Sequence, residues 1–164
     1  MVFQSPTSFG FRLHRYLLKK FRARGALAEK DEFTFLCGHA KQDIHKGKFL
    51  GPKPDAFRID ENGISGTWVD YFNAPPPARD QAARETCRAR TPGKSGVFPL
   101  ARVERILEVA QKLGVNAPVV HDPEPNNIAH SLIKNWPDDT YSKLALAKAF
   151  DAHILAKEVP GLFD

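Results

Sequence analysis

Apolar residues recur along residues 103–113 at the spacing of one helix face: Val103, Ile106, Leu107, Ala110 and Leu113. Arg102, Glu104, Arg105, Glu108 and Lys112 fill the opposite face, so the pattern predicts a helix over 102–113 lying on a core. Gly114 is a natural stop, since helix ends commonly need one residue at positive φ. Val97–Leu100 before the helix and Ala117–His121 after it read as strands, which makes a local strand-helix-strand unit with short links. A further strand is expected over 128–133. Trp136-Pro137-Asp138 breaks it, and Asp138 or Asp139 would cap a last helix over 140–156.

Upstream, Phe33, Phe35 and Cys37 alternate with Thr34 and Leu36, the mark of a short strand. Residues 38–54 read as loop. Ala56–Ile59 and Ile64–Trp68 then form a predicted hairpin around Asn62-Gly63, two residues that tolerate positive φ. Prolines at 75, 76 and 77 can open a helix but not sit inside one, so the next helix is placed at 77–90. Its apolar face, Ala78, Ala82, Ala83 and Cys87, is small and suggests a peripheral position. At the start of the chain, Leu13, Tyr16, Leu17 and Phe21 predict an amphipathic helix over 11–24, stopped by Gly25.

These elements describe an α+β fold: a small mixed or antiparallel sheet with the local strand-helix-strand unit and flanking helices. Residues 1–164 are expected to make one domain, a basic helical segment over 1–28 and an α+β core over 29–164. The helix at 102–113 should face a sheet carrying Phe57, Val97, Val119 and Leu132.

Composition changes this picture only at the level of partners. Hydrophobic residues are 42% and charged residues 26% of the chain, the balance of an ordinary globular protein. The two cysteines, Cys37 and Cys87, make neither a disulfide framework nor a zinc pattern, which points to a reducing cytoplasm. No apolar run approaches the length of a transmembrane helix, and the N-terminus lacks the apolar stretch of a secretory signal.

The net charge of +5 is unevenly placed. No acidic residue precedes Glu29, whereas Arg12, Arg15, Lys19, Lys20, Arg22 and Arg24 do. A second cluster, Arg84, Arg88, Arg90 and Lys94, is offset only by Glu85. Arg15, Lys19, Arg22, Arg84 and Arg88 are therefore candidate contacts to a nucleic acid or an acidic protein surface. The alternative is a solvated helix face. Trp68, with Tyr71 and Phe72, is either a stacking platform for bases or part of the core.

Candidate chemistry concentrates in HDPEPNNIAH, residues 121–130. If one strand ends at His121 and another begins near 128, His121 and His130 lie on neighbouring strands. Two imidazoles can then divide acid and base roles, as metal-free phosphodiester cleavage requires. With Asp122 and Glu124 the same pair could hold a divalent metal, since imidazole and carboxylate suit zinc or manganese. The plainer reading is a proline-stiffened turn with Asp122 accepting backbone N–H groups. No HExxH, P-loop or GxSxG occurs in the chain, so no established signature selects among the three.

Three blocks, DAFRIDENGISGTWVDYF, GVFPLARVERILEVAQKLG and VVHDPEPNNIAHSLI, together resemble a group of small uncharacterised bacterial proteins. The residues carrying the resemblance are Ala56, Phe57, Ser65, Trp68, Phe72, His121, Asp122, Pro123, Ala129 and His130. It covers residues 55–135 and implies a compact bacterial domain with no assigned activity. Two functional classes therefore stand. One is a non-catalytic module for a polyanion or acidic protein. The other is a small phosphodiester hydrolase built on His121 and His130.

Overall fold

The computed structural model describes residues 24–73 and 77–163. It is α+β, with a mostly antiparallel sheet. The strands are β1 (Glu32–Thr34), β2 (Gln42–His45), β3 (Lys48–Pro52), β4 (Ile59–Asp60), β5 (Gly63–Trp68), β6 (Val97–Arg102), β7 (Val119–His121), β8 (His130–Ile133) and β9 (Ala152–Leu155). The helices are α1 (Pro77–Thr86), α2 (Val103–Lys112) and α3 (Thr140–Ala147). The main sheet runs β7-β8-β5-β1-β6-β9, with β4 added beside β5, while β2 and β3 pair separately.

The two faces of the sheet bury different things. On the first, α2 places Val103, Ile106 and Ala110 in a core with Phe33, Val97, Val119 and Ile133, and Leu107 and Leu113 pack at its margin. Phe35, Phe57 and Phe150 interlock in the same core, with Phe35 and Phe57 ring centroids 5.3 Å apart. Asp139 caps α3 by accepting the Ser142 N–H at 2.9 Å. On the second face lies α1, whose alanines allow close approach. Ala82 meets Val69 and Leu100, and Ala83 meets Phe98, Ala156 and Val159. The small face that suggested a peripheral helix instead packs directly on the sheet.

Several elements differ from the sequence reading, each for a local reason. Residues 38–54 are not all loop: β2 and β3 form a hairpin because Lys46 (φ 48°) and Gly47 (φ 76°) both adopt the left-handed conformation a tight turn needs. The expected 140–156 helix ends at Ala147, and Ala152–Leu155 pair with β6 as an edge strand. Period-two alternation over so few residues was hidden in a run rich in helix formers. The 59–64 turn is held by Asp60, whose Oδ1 accepts the N–H groups of Asn62 (2.8 Å) and Gly63 (3.1 Å). Only Gly63 has positive φ there, and a Cβ on it would stand 2.3 Å from the Ile133 carbonyl oxygen.

The strand-helix-strand unit is not a neighbouring pair. β1, β5 and β8 lie between β6 and β7, and the even number of antiparallel steps leaves β6 and β7 parallel. Leu132 is also not on the α2 face. It pairs with Ser65, and the alternation of side chains gives the core position to Ile133. The expected helix over 11–24 lies outside the described residues apart from Arg24.

Candidate functional site

The register of β7 and β8 separates the two histidines. His121 stands opposite Ser131, and Asp122 continues the ladder by donating its N–H to the His130 carbonyl at 2.9 Å. His130 is the neighbour of Ser131, so His121 and His130 point to opposite faces of the sheet. The expected acid–base pair of histidines does not form.

His121 is buried and fully engaged. Its Nδ1 accepts the Arg24 backbone N–H at 3.1 Å, and its Nε2–H donates to the Ile128 carbonyl at 2.8 Å. Those partners fix the neutral tautomer. Burial holds its pKa below the ordinary imidazole value, and the nearby Arg24 charge acts in the same direction against the Ile128 hydrogen bond. The ring packs edge-on against Trp68 at 5.5 Å and tilted against Tyr71 at 5.4 Å. The Arg24 guanidinium lies 4.6 Å from the Tyr71 centroid and 5.6 Å from that of Trp68. Trp68, a candidate base-stacking residue, is thus enclosed in an aromatic box at the edge of the core.

His130 is built differently. Thr67 pairs with His130 and Ser65 with Leu132, so Ser65, Thr67 and His130 share the second face. The Nδ1–H of His130 donates to the backbone carbonyl of Asp122 at 2.8 Å, and the Asp122 carboxylate stands 3.7 Å from the same nitrogen. That bond leaves Nε2 as an acceptor, 2.6 Å from the Ser65 hydroxyl. Ser65 is exposed on β5, while His130 is buried. Serine, imidazole and the Asp122 backbone carbonyl therefore line up across three adjacent segments of one sheet face, with the Asp122 carboxylate alongside. The order of roles is that of a nucleophile, its base and the group that orients the base.

A cavity of about 170 Å³ opens over this pair. Its floor and wall include Ser65, Thr67 and His130 from the sheet, Glu85 and Thr86 from α1, and Asn127 from the loop before β8. One hydrogen-bond chain sets the wall. Asn127 Nδ2 donates to Thr67 Oγ1 at 2.8 Å, and Thr67 lies 2.7 Å from Thr86 Oγ1. Thr86 spends its proton on the Ala82 carbonyl at 2.8 Å, so Thr67 donates to Thr86. The Asn127 side-chain Oδ1 accepts the Ala129 N–H at 3.1 Å, tying the loop that carries Asp122 and Glu124 to β5 and α1. Arg58 and Arg90 border the same cavity and are exposed.

Asp122, Glu124 and His130 can each offer one donor atom within 4.8 Å of the others. They are the part of the expected metal set that comes together, and His121 is not in it. Both nitrogens of His130 are already hydrogen-bonded, so a divalent ion would replace the Ser65 or the Asp122 contact.

The basic candidates fare unequally. Arg84 donates to the Pro160 carbonyl at 3.0 Å and to Gln81 at 2.9 Å, and Arg88 pairs with the buried Glu85 at 2.8 Å. Both serve to hold α1. Arg15, Lys19 and Arg22 lie outside the described residues. Among the described residues no helix is long and apolar enough to cross a membrane.

Ser65, Glu85, Thr86, Asn127 and Arg58 were not singled out for chemistry by the sequence, and Arg90 stood out only as a member of the second basic cluster. Ser65 did carry a signal, a polar position between Ile64 and Gly66 on a strand whose other phase is core. Against protein-family models, curated proteins and solved structures the chain finds no match.

Proposed function

We propose that this protein is an ester hydrolase in which Ser65 is the nucleophile and His130 the general base. The observation that carries the reading is the 2.6 Å contact between an exposed serine hydroxyl and the acceptor nitrogen of a buried imidazole. A serine hydroxyl attacks poorly until a neighbouring base removes its proton during bond formation. Here the base already faces the hydroxyl in the required tautomer, because Nδ1–H is committed to Asp122.

The reaction balances with these groups. Ser65 Oγ bonds to the ester carbon as its proton passes to His130 Nε2. The imidazolium so formed keeps its Nδ1–H on the Asp122 carbonyl, near the Asp122 carboxylate. The bond to the leaving alcohol then breaks, and Nε2 returns the proton to that alcohol. Water repeats the sequence on the acyl-serine and releases the acid. Arg58 and Arg90 offer cationic N–H donors to the charge that develops on the ester oxygen. The polyanion-module reading, by contrast, rests on Arg15, Lys19 and Arg22, because Arg84 and Arg88 are occupied within the fold.

The test is reaction with a fluorophosphonate probe, which modifies activated serines, followed by peptide mass spectrometry. One adduct on Ser65 is expected, absent in Ser65→Ala and slowed about 100-fold or more in His130→Ala. A folded wild-type protein that takes up no probe at Ser65 ends this reading.

A further inference from the structure

Glu85 is the polar group of the cavity that the hydrolytic reading leaves unexplained. It is 4% exposed, and its Oε1 takes both available donors, Gln81 Nε2 at 3.0 Å and Arg88 at 2.8 Å. Its Oε2 is buried and has no hydrogen-bond partner among the described residues. A buried carboxylate oxygen without a donor costs more than most buried polar groups, so such an atom calls for a partner the protein does not supply, a water, an ion or a ligand. Glu85 belongs to the wall of the same cavity as Ser65 and His130.

From this we infer that the cavity takes an acyl group bearing an ammonium, with the ammonium on Glu85 Oε2 and the ester carbon at Ser65. The class is that of small α-amino acid esters. Charge supports an ammonium over a neutral donor, because the acceptor is a buried carboxylate oxygen. Size supports a small acyl group, because about 170 Å³ is close to the volume that takes one benzene-sized molecule.

The catalytic arm of this inference rests on the Ser65–His130 reading, and its binding arm does not, so the test has two parts. First, the p-nitrophenyl esters of alanine and of propionic acid are compared, each rate divided by that ester's spontaneous hydrolysis. Wild-type protein should prefer the alanyl ester by about tenfold or more, since a site built around one polar contact rejects an analogue that lacks the group. In Glu85→Gln the preference should shrink to about threefold or less. Equal normalised rates in wild type, or a preference that survives in Glu85→Gln, overturns the inference.

Second, thermal melts of Ser65→Ala are recorded with alaninamide and with propionamide at pH 7. Only alaninamide should raise the melting temperature, whatever the fate of Glu85→Gln as a folded protein. A rise with both amides or with neither removes the ammonium subsite. Turnover of both esters without preference would leave Ser65 as nucleophile and discard Glu85. A rise with alaninamide alone, with no ester turned over, would keep the subsite and discard the nucleophile.

Discussion

The two ends of one ten-residue segment, His121 and His130, show how differently a fold can use the same side chain. Both are buried, both border the β7–β8 ladder, and both have two hydrogen-bonded nitrogens. His121 bonds only to backbone groups and lies under an aromatic box. His130 has one nitrogen on backbone and the other on an exposed hydroxyl at a cavity. The first arrangement consumes an imidazole in structure. The second leaves one nitrogen where a reacting group can reach it, and burial or hydrogen-bond count alone would not have separated them.

The sharpest way to break that contrast is to compare activities. His130→Ala and Ser65→Ala should each lower ester turnover by about a thousandfold or more, as loss of a base or nucleophile does. His121→Ala should retain turnover within about threefold wherever it stays folded, because its ring contacts no group of the cavity chemistry. Equal losses at the two histidines would erase the distinction.

The next effect is on stability and belongs to the face that His121 shares with the main core. Ile106→Ala should cost about 2 to 5 kcal/mol as a cavity in close packing, read from denaturant midpoints. Gly66→Ala probes the separation of the faces. A Cβ there would stand 2.1 Å from the Phe33 ring, so the substitution should cost about 1 to 3 kcal/mol through forced repacking. A neutral Gly66→Ala would mean that the Phe33 ring yields freely and that β1 and β5 pack less closely than described.

How much of this was written in the sequence depends on range. The α2 stripe, the Asp139 cap and the hairpin at 59–64 depend on neighbours within a turn or two, and each is visible in the residue pattern. The β2–β3 hairpin was missed because its turn residue is a lysine in a left-handed conformation, which composition does not announce. β9 was missed because its pairing with β6 is decided by tertiary packing against α1 and not by its own helix-prone residues.

The site lies at the far end of that scale. HDPEPNNIAH was recognisable as a place for chemistry, but a one-residue register with β8 decides which histidine joins which face. Ser65 and His130 stand 65 positions apart. Their contact follows from β5 and β8 pairing with Ser65 opposite Leu132, which no local pattern specifies.

The smallest effect is the pH dependence of stability, and it distinguishes His121 without any substrate. Burial lowers its pKa in the folded protein below the value of about 6.5 for a free imidazole. Between that lowered value and pH 6.5 the unfolded chain binds a proton at this position that the folded protein does not. Stability therefore rises with pH through this window and is level with respect to His121 above it. In His121→Gln that portion of the slope should vanish, alongside a loss of about 1 to 3 kcal/mol at neutral pH from disturbed backbone partners. Urea midpoints of the two proteins at matched pH values above and below 6.5 provide the measurement. An unchanged slope in His121→Gln would show that the ring is free to take up a proton in the folded state, and the contrast between the two faces would fail at its structural end.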